Sequence, residues 1–297
     1  MTPPPAPTTA TNETVAPAIP FVAGPVISDP VELAYERVLA LDDAGQEAID
    51  GWLREADALG SAADTVKLQQ RVDERLAEVD AAYEAFLKEH PRHVEARIAY
   101  GSFLGDTGRE PEAVREWERA RALDPRHPAI YNNLAGVFAH RGPITNAFAY
   151  LEKAIALKPE EPVYLRNLAT AVYLYRKDVM EYYAITNEQQ VFDKSLDLYR
   201  RALDLDATNF TLATDLAQTY YGIKPLRAEA AIEAWRKAYL LAADELEQQS
   251  VRIHLARVLG MAGRFPEARS ELDQVTRPEL VELRDRVGRS LNQKEAR

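Results

Sequence analysis

The sequence predicts an all-α protein made by stacking antiparallel helix pairs, and three observations carry that prediction. The stretch ALDPRHPAIYNNLAGVFAHRG (122–142) returns 34 residues later as ALKPEEPVYLRNLATAVYLYR (156–176), with Leu123/Leu157, Pro125/Pro159, Asn133/Asn167 and Leu134/Leu168 in register. Pro91, Pro125 and Pro159 keep the same interval. Between them, apolar residues fall three and four positions apart, the spacing of a helix that buries one face.

The bulk properties agree with a folded, acidic chain. In 297 residues, 46% are hydrophobic and 28% charged, ordinary values for a protein with a substantial core. The net charge of −11 argues against nucleic acid, which needs clustered cations to displace counterions, and against an anionic membrane surface. The acidity is uneven: residues 29–90 carry 16 Asp/Glu against 6 Lys/Arg, a pattern expected of a solvated helical face, or of a docking site for a basic partner. No cysteine is present, which excludes disulfides, thiol catalysis and thiolate metal sites. The N-terminus lacks the basic start and apolar run of a secretory signal, and no later stretch has the length of a membrane span, so a cytoplasmic protein is expected, with a lost leader left open.

Taken in order, residues 1–28 hold seven prolines with many Thr and Ala and no Lys or Arg, a mixture expected to stay disordered. Helix begins after Asp29-Pro30, where Pro suits the first turn. Tyr35, Val38 and Leu39, then Ile49, Trp52, Leu53 and Ala56, then Val72, Leu76, Val79, Tyr83 and Phe86 give three predicted helices, which would cap the array over 29–93. The first full unit, 94–127, carries Gly101, Gly108, Ala113, Trp117, Ala120, Leu123 and Pro125. The second, 128–161, carries Tyr131, Leu134, Ala135, Phe138, Gly142, Ala147, Leu151, Ala154, Leu157 and Pro159. A third opens at Pro162 and closes with Ser195, Tyr199, Ala202 and Leu205; a fourth has Leu216, Ala217, Tyr220, Ala231, Trp235, Ala238 and Leu241. A fifth reads Leu255, Ala256, Leu259, Gly263, Ala268 and Leu272, and a last helix over 276–291 would cover the open end, leaving 292–297 to fray.

The third unit breaks register by 14 residues around KDVMEYYAITNEQQ. TNEQ at 186–189 reads as a capping box with Thr186 at the N-cap. The spacing therefore predicts a helical hairpin protruding near 177–190 and tipped with Val179, Met180, Tyr182, Tyr183 and Ile185. Those residues either pack the hairpin's own helices or, with Met180, Tyr182, Tyr183 and Ile185 exposed, meet a partner or a second copy. GIKPLRAE in the fourth unit reads as a longer turn.

This pattern of small residues at helix crossings, large ones in the gaps and a closing proline resembles the tetratricopeptide repeat, with about five repeats over residues 90–275. The resemblance implies an α-solenoid, a right-handed superhelix of helix pairs running over 94–275. It also implies that the first helix of each pair lines a concave side. The matching inward places hold Asn132, Asn133, Gly136, Ala139 and His140, then Arg166, Asn167, Thr170, Tyr173 and Leu174. Further along they hold Asp215, Gln218 and Tyr221, then His254 and Arg257. Asn133, Asn167 and Asp215 share one place, which is similar to the asparagine ladder of peptide-binding members, since an amide can donate to and accept from a backbone at once. Arg166 would add a contact to an acidic group. Ile98, Ala99, Ser102 and Val163 stand where the family's carboxylate clamp has other residues, so that ligand class is not expected.

Catalytic patterns are missing from the sequence. His93 and His127 sit one unit apart beside their prolines and read as turn residues; there is no HExxH, no Gly-rich phosphate loop and no GxSxG elbow. The expected function is a non-enzymatic scaffold or adaptor, without metal or cofactor, whose concave groove binds a peptide or helix of a protein partner. The alternative is a self-assembling structural subunit, a homo-oligomer held through the 177–190 hairpin.

Overall fold

The computed structural model describes residues 29–59 and 62–296. The proline-rich tail predicted at 1–28 lies outside the described residues. Among them are fourteen α-helices and no strand. The first two are α1 (Pro30–Leu59) and α2 (Ala62–Glu89). Then come α3 (Val94–Asp106), α4 (Glu110–Leu123), α5 (Pro128–Arg141), α6 (Ile144–Leu157), α7 (Pro162–Leu174), α8 (Arg176–Tyr182) and α9 (Glu188–Leu205). The last are α10 (Phe210–Thr219), α11 (Ala228–Leu241), α12 (Glu245–Met261), α13 (Phe265–Asp273) and α14 (Val281–Glu295). None of the described helices is long and apolar enough to cross a membrane. The chain divides into two compact units between Val79 and Asp80.

In the first unit, α1 is one continuous helix where the sequence predicts two. Each of its two glycines, Gly45 and Gly51, costs a helix only about 1 kcal/mol and does not end it. Across the turn that holds Gly45, Gln46 Nε2 donates to Asp42 Oδ1 at 3.0 Å. Gly45 is instead a packing device: a Cβ there would stand 3.2 Å from Val79 Cγ2, so its absence lets α2 come close. The Arg71 guanidinium lies 4.1 Å from the centre of the Trp52 ring and joins the two helices again.

In the second unit, α3 pairs with α4, α5 with α6, α7 with α9, α10 with α11 and α12 with α13, and each pair packs on the next. First helices also touch across pairs, α3 to α5 to α7 and α12 to α14, so they line a common side. This is the solenoid of helix pairs that the 34-residue period predicts. Its crossings are held by small residues: Ala96, Ala113, Ala120, Ala135, Ala147, Ala154, Ala169, Ala202, Ala231, Ala238, Ala256 and Ala268 are each no more than 1% exposed. Phe148, Leu165, Phe192, Leu196, Ile232 and Trp235 fill the spaces between them.

Local signals set the helix ends. Pro128 and Pro162 open α5 and α7, where a missing N–H is harmless. His93 Nδ1 accepts from Ala96 N at 3.0 Å, Asn209 Oδ1 from Leu212 N at 2.9 Å and Asp244 Oδ1 from Glu247 N at 2.8 Å, each capping its helix. The turns α3–α4 and α12–α13 share a construction. Gly108 and Gly263 have φ of +78° and +77°, Arg109 N and Arg264 N donate back to Leu104 O and Leu259 O, and each arginine pairs with the glutamate three residues on.

The insertion departs from the predicted protruding hairpin. The chain breaks helix at Tyr175 and forms the short α8, then turns at Ala184 (φ +52°) as Ile185 N donates to Met180 O at 2.9 Å. Val179 is fully buried, while Met180, Tyr183 and Ile185 pack against the main apolar core. The Tyr182 and Tyr183 hydroxyls both donate to Glu152 of α6, at 3.1 and 2.8 Å, and both rings lie against Phe148. The segment is folded down onto α6 because two phenols and one carboxylate satisfy one another there. The N-cap of α9 is Asn187, whose side chain accepts from Gln190 N at 3.0 Å, and not the predicted Thr186. Gln189, expected to reach back to the cap, instead donates to Lys224 O and accepts from Arg227. At the other end α14 runs to Glu295, beyond the predicted fraying point, because Arg269 bonds both Asn292 and Glu295.

The crossing of α3 and α4 offers a direct test. A Cβ on Gly101 would lie inside the Trp117 indole, whose Nε1 donates to Ile98 O at 3.1 Å. Gly101→Ala should therefore destabilise by about 1–3 kcal/mol, since a rigid ring cannot yield. Gly136→Ala, where a Cβ would meet nothing within 4 Å, should stabilise by up to about 1 kcal/mol. Urea unfolding followed by helical circular dichroism checks both; equal shifts of the two variants would contradict the packing described.

Candidate functional site

Helices α5 and α7 present their inward faces side by side, and between them lies a concavity of about 260 Å³. Asn132, Gly136, Ala139 and His140 of α5 face Asn167, Thr170 and Leu174 of α7 across it. Gly136 and Thr170, and His140 and Leu174, hold equal places 34 residues apart on successive first helices, whereas Asn132 and Asn167 meet one residue off that register. Gly136 is exposed and Leu174 is 60% exposed, so the groove offers open apolar surface beside its amides.

Two of the amides are bonded to each other. Asn167 Nδ2 donates to Asn132 Oδ1 at 2.8 Å. The Asn133 amide lies 3.3 Å from that of Asn132 and 3.2 Å from Ser102 Oγ. With its oxygen towards α3, it accepts from Ser102 Oγ and lies 3.3 Å from Trp117 Nε1. Asn133 is thus held against α3 and α4, and Asn132 takes its predicted place at the groove. Thr170 Oγ1 donates to Arg166 O at 3.0 Å and lies 2.7 Å from the Tyr199 hydroxyl. Tyr175, which sequence reasoning passed over, closes the end of the groove by donating to Ala139 O at 2.5 Å. Its only sequence signal is its place one residue past the helical stripe of α7.

Other predicted groove residues have been drawn elsewhere. Arg166 Nε donates to Asp215 Oδ2 at 2.6 Å, so both charges are neutralised by each other. Tyr173 lies against Phe192, with Arg176 5.6 Å from the centre of its ring. Gln218 is exposed on α10. Tyr221, His254 and Arg257 form a separate cluster further along. The Tyr221 hydroxyl lies 3.0 Å from His254 Nδ1 and donates to His254 O at 3.2 Å. The His254 ring stacks on Trp235 at 4.3 Å and 8°, and Arg257 stands 5.0 Å from the Tyr221 ring centre. Burial, helped by the Arg257 charge, pushes the His254 imidazole down to about 4. Met180, Tyr182, Tyr183 and Ile185 sit on the α6 side, away from these residues, with Tyr182 the most exposed of them.

Among the described residues no group of three or more His, Asp or Glu is placed to hold a metal. His93 and His127 stand at the N-caps of α3 and α5, the turn positions expected of them.

Comparison with known proteins finds a family match over part of the chain. A family model described as tetratricopeptide repeat matches residues 80–120 and 104–162, and a second of the same description matches 249–274. No curated protein matches the chain. Among solved structures, PilW, a type IV pilus biogenesis factor, has a TM-score of 0.54 at 15% identity, over 72% of this chain and 93% of its own. The C-terminal part of a repeat protein from Cytophaga hutchinsonii has 0.54 at 14%, over 85% and 98%. The Cut9–Hcn1 structure of the APC/C has 0.52 at 17%, over 87% and 46%. These identities are low, and the likeness is one of fold.

The half-buried His254 makes stability depend on acid. The unfolded ring titrates near 6.5 and the folded one near 4, so between those values the unfolded chain binds a proton that the folded chain refuses. The contribution is whole above about pH 6.5 and falls as pH drops towards 4. His254→Phe keeps the stack without the titration. Between about pH 7 and 4 the wild type should lose up to about 3 kcal/mol more unfolding free energy than this variant. Urea midpoints that fall in parallel would refute the assignment.

Proposed function

We propose that this chain, a tetratricopeptide-repeat protein, is a non-enzymatic scaffold that holds a short peptide or helix of a partner protein in the groove between α5 and α7. The observation that carries this reading is the wall of that groove: a bonded pair of amides, Asn132 and Asn167, beside the exposed Leu174 and the open surface at Gly136. An amide pair recognises a peptide backbone whatever its side chains, and Leu174 with Ala139 offers an apolar contact to one of them. Because the amides are already joined, they are oriented before a ligand arrives, which lowers the ordering cost of binding. The volume is at the small end for a ligand pocket and suits one or two side chains more than a cofactor.

Arg166 is not available to an acidic ligand without giving up Asp215, so recognition in this groove rests on amides and apolar surface. The net charge of −11 favours protein over nucleic acid as the partner class. The alternative scaffold, self-assembly through 177–190, loses its main support, because the aromatic tip it needs is bound to Glu152 and Phe148.

Filling the groove tests the proposal without disturbing the stack. Gly136→Leu extends into space where a Cβ meets nothing within 4 Å. Against peptides selected on the wild-type protein from a displayed random library, the variant should bind about tenfold or more weakly while unfolding at the same or higher denaturant. Equal affinity in the two proteins would remove this groove from the account.

A further inference from the structure

A second concavity, of about 320 Å³, lies between α12 and α14. Met261, Val287 and Leu291 line it, and Arg257, Arg286 and Lys294 surround them. The three cations are exposed, and among the described residues none of them has a carboxylate within ion-pair distance. Their neighbours behave differently: Arg252, Arg269, Arg277 and Arg284 are each paired with an acid. Residues 250–297 hold ten Lys/Arg against seven Asp/Glu, the reverse of the chain as a whole. A groove with an apolar floor and unpaired positive rim fits a helix that alternates carboxylates with apolar side chains.

Such a helix is present in the chain itself. Glu36, Asp43 and Asp50 recur every seven residues on α1, so they form one stripe, and all three are exposed. Leu33 and Leu53, at 42% and 48% exposure, stand on the same helix beyond either end of that stripe. Along their helices Asp43 and Asp50 are about 11 Å apart, and Arg286 and Lys294 about 12 Å, so two carboxylates match two cations in register. Residues 29–90 carry a net charge of −10, which steers this segment towards a positive groove.

We propose that α1 of a second copy of this chain docks through its Glu36–Asp43–Asp50 stripe into the groove between α12 and α14. The contact is head-to-tail, joining two different surfaces, so each copy keeps a free stripe or a free groove for the next. It uses none of the residues of the α5–α7 groove, and either reading can fail while the other stands.

The test is sedimentation velocity of the full chain. At about 30 mM salt the mass should rise with concentration up to about 100 μM, and at about 500 mM it should return to the monomer. Reversing the groove (Arg257→Glu, Arg286→Glu, Lys294→Glu) or the stripe (Glu36→Lys, Asp43→Lys, Asp50→Lys) should each give a monomer. All six positions are exposed, and circular dichroism verifies that both variants stay folded. Mixing the two variants should restore association, since reversed stripe meets reversed groove and the native pair remains. A wild type that is monomeric throughout, reversed variants that associate as the wild type does, association indifferent to salt, or a mixture that stays monomeric would each overturn the inference.

Discussion

Close approach of helices is the constraint on which this molecule depends. Twelve alanines at the crossings are sealed from solvent, and Gly101 gives up its side chain altogether to admit the Trp117 ring. A larger residue at any of these places would separate two backbones and unseat the large apolar side chains beside it, because the interior has no spare volume. The same closeness aligns α3, α5 and α7 on one side, and it is this alignment that brings Asn132 and Asn167 within 2.8 Å. The groove is therefore a consequence of the packing and not an addition to it.

Polar groups in the second unit are arranged so that the stack satisfies its own needs first. Arg97 pairs with Glu116 at 2.5 Å where both are largely sealed from water, and Arg119 reaches the same carboxylate from the next turn. The buried Ser195 hydroxyl donates to Ala169 O at 2.9 Å, tying α9 to α7. An unpaired charge or hydroxyl in these places would be costly, so each partner fixes the register of its helix. The groove amides obey the same logic, and what they leave for a visitor is the remaining capacity of groups already in position.

The insertion shows how tertiary contacts reassign a segment. Its phenols look like a sticky tip when only the chain is read, yet Glu152 accepts from both and burial with Glu152's charge pushes the Tyr183 hydroxyl well above the usual phenol range. Both rings remain neutral donors, and α8 becomes part of the outer wall. The positive groove at α12 and α14 was missed for the opposite reason. Arg286 and Lys294 belong to a helix that reads as a terminal cap, and only its contact with α12 sets them beside Arg257.

The period of 34, the apolar spacing and the prolines determined by themselves that this protein is a stack of helix pairs, because helix ends and buried faces are decided within a few residues of chain. The assignment of the amides to inward faces came from the resemblance to the tetratricopeptide repeat and not from the spacing. The continuity of α1 through Gly45, the choice of Asn187 over Thr186 as a cap and the folding of α8 onto α6 were decided by the tertiary structure. So was the partner that each polar side chain took: Asp215 for Arg166, Ser102 for Asn133, Trp235 for His254. These depend on which groups meet across tens of residues, and a pairing at that separation leaves no mark in local spacing.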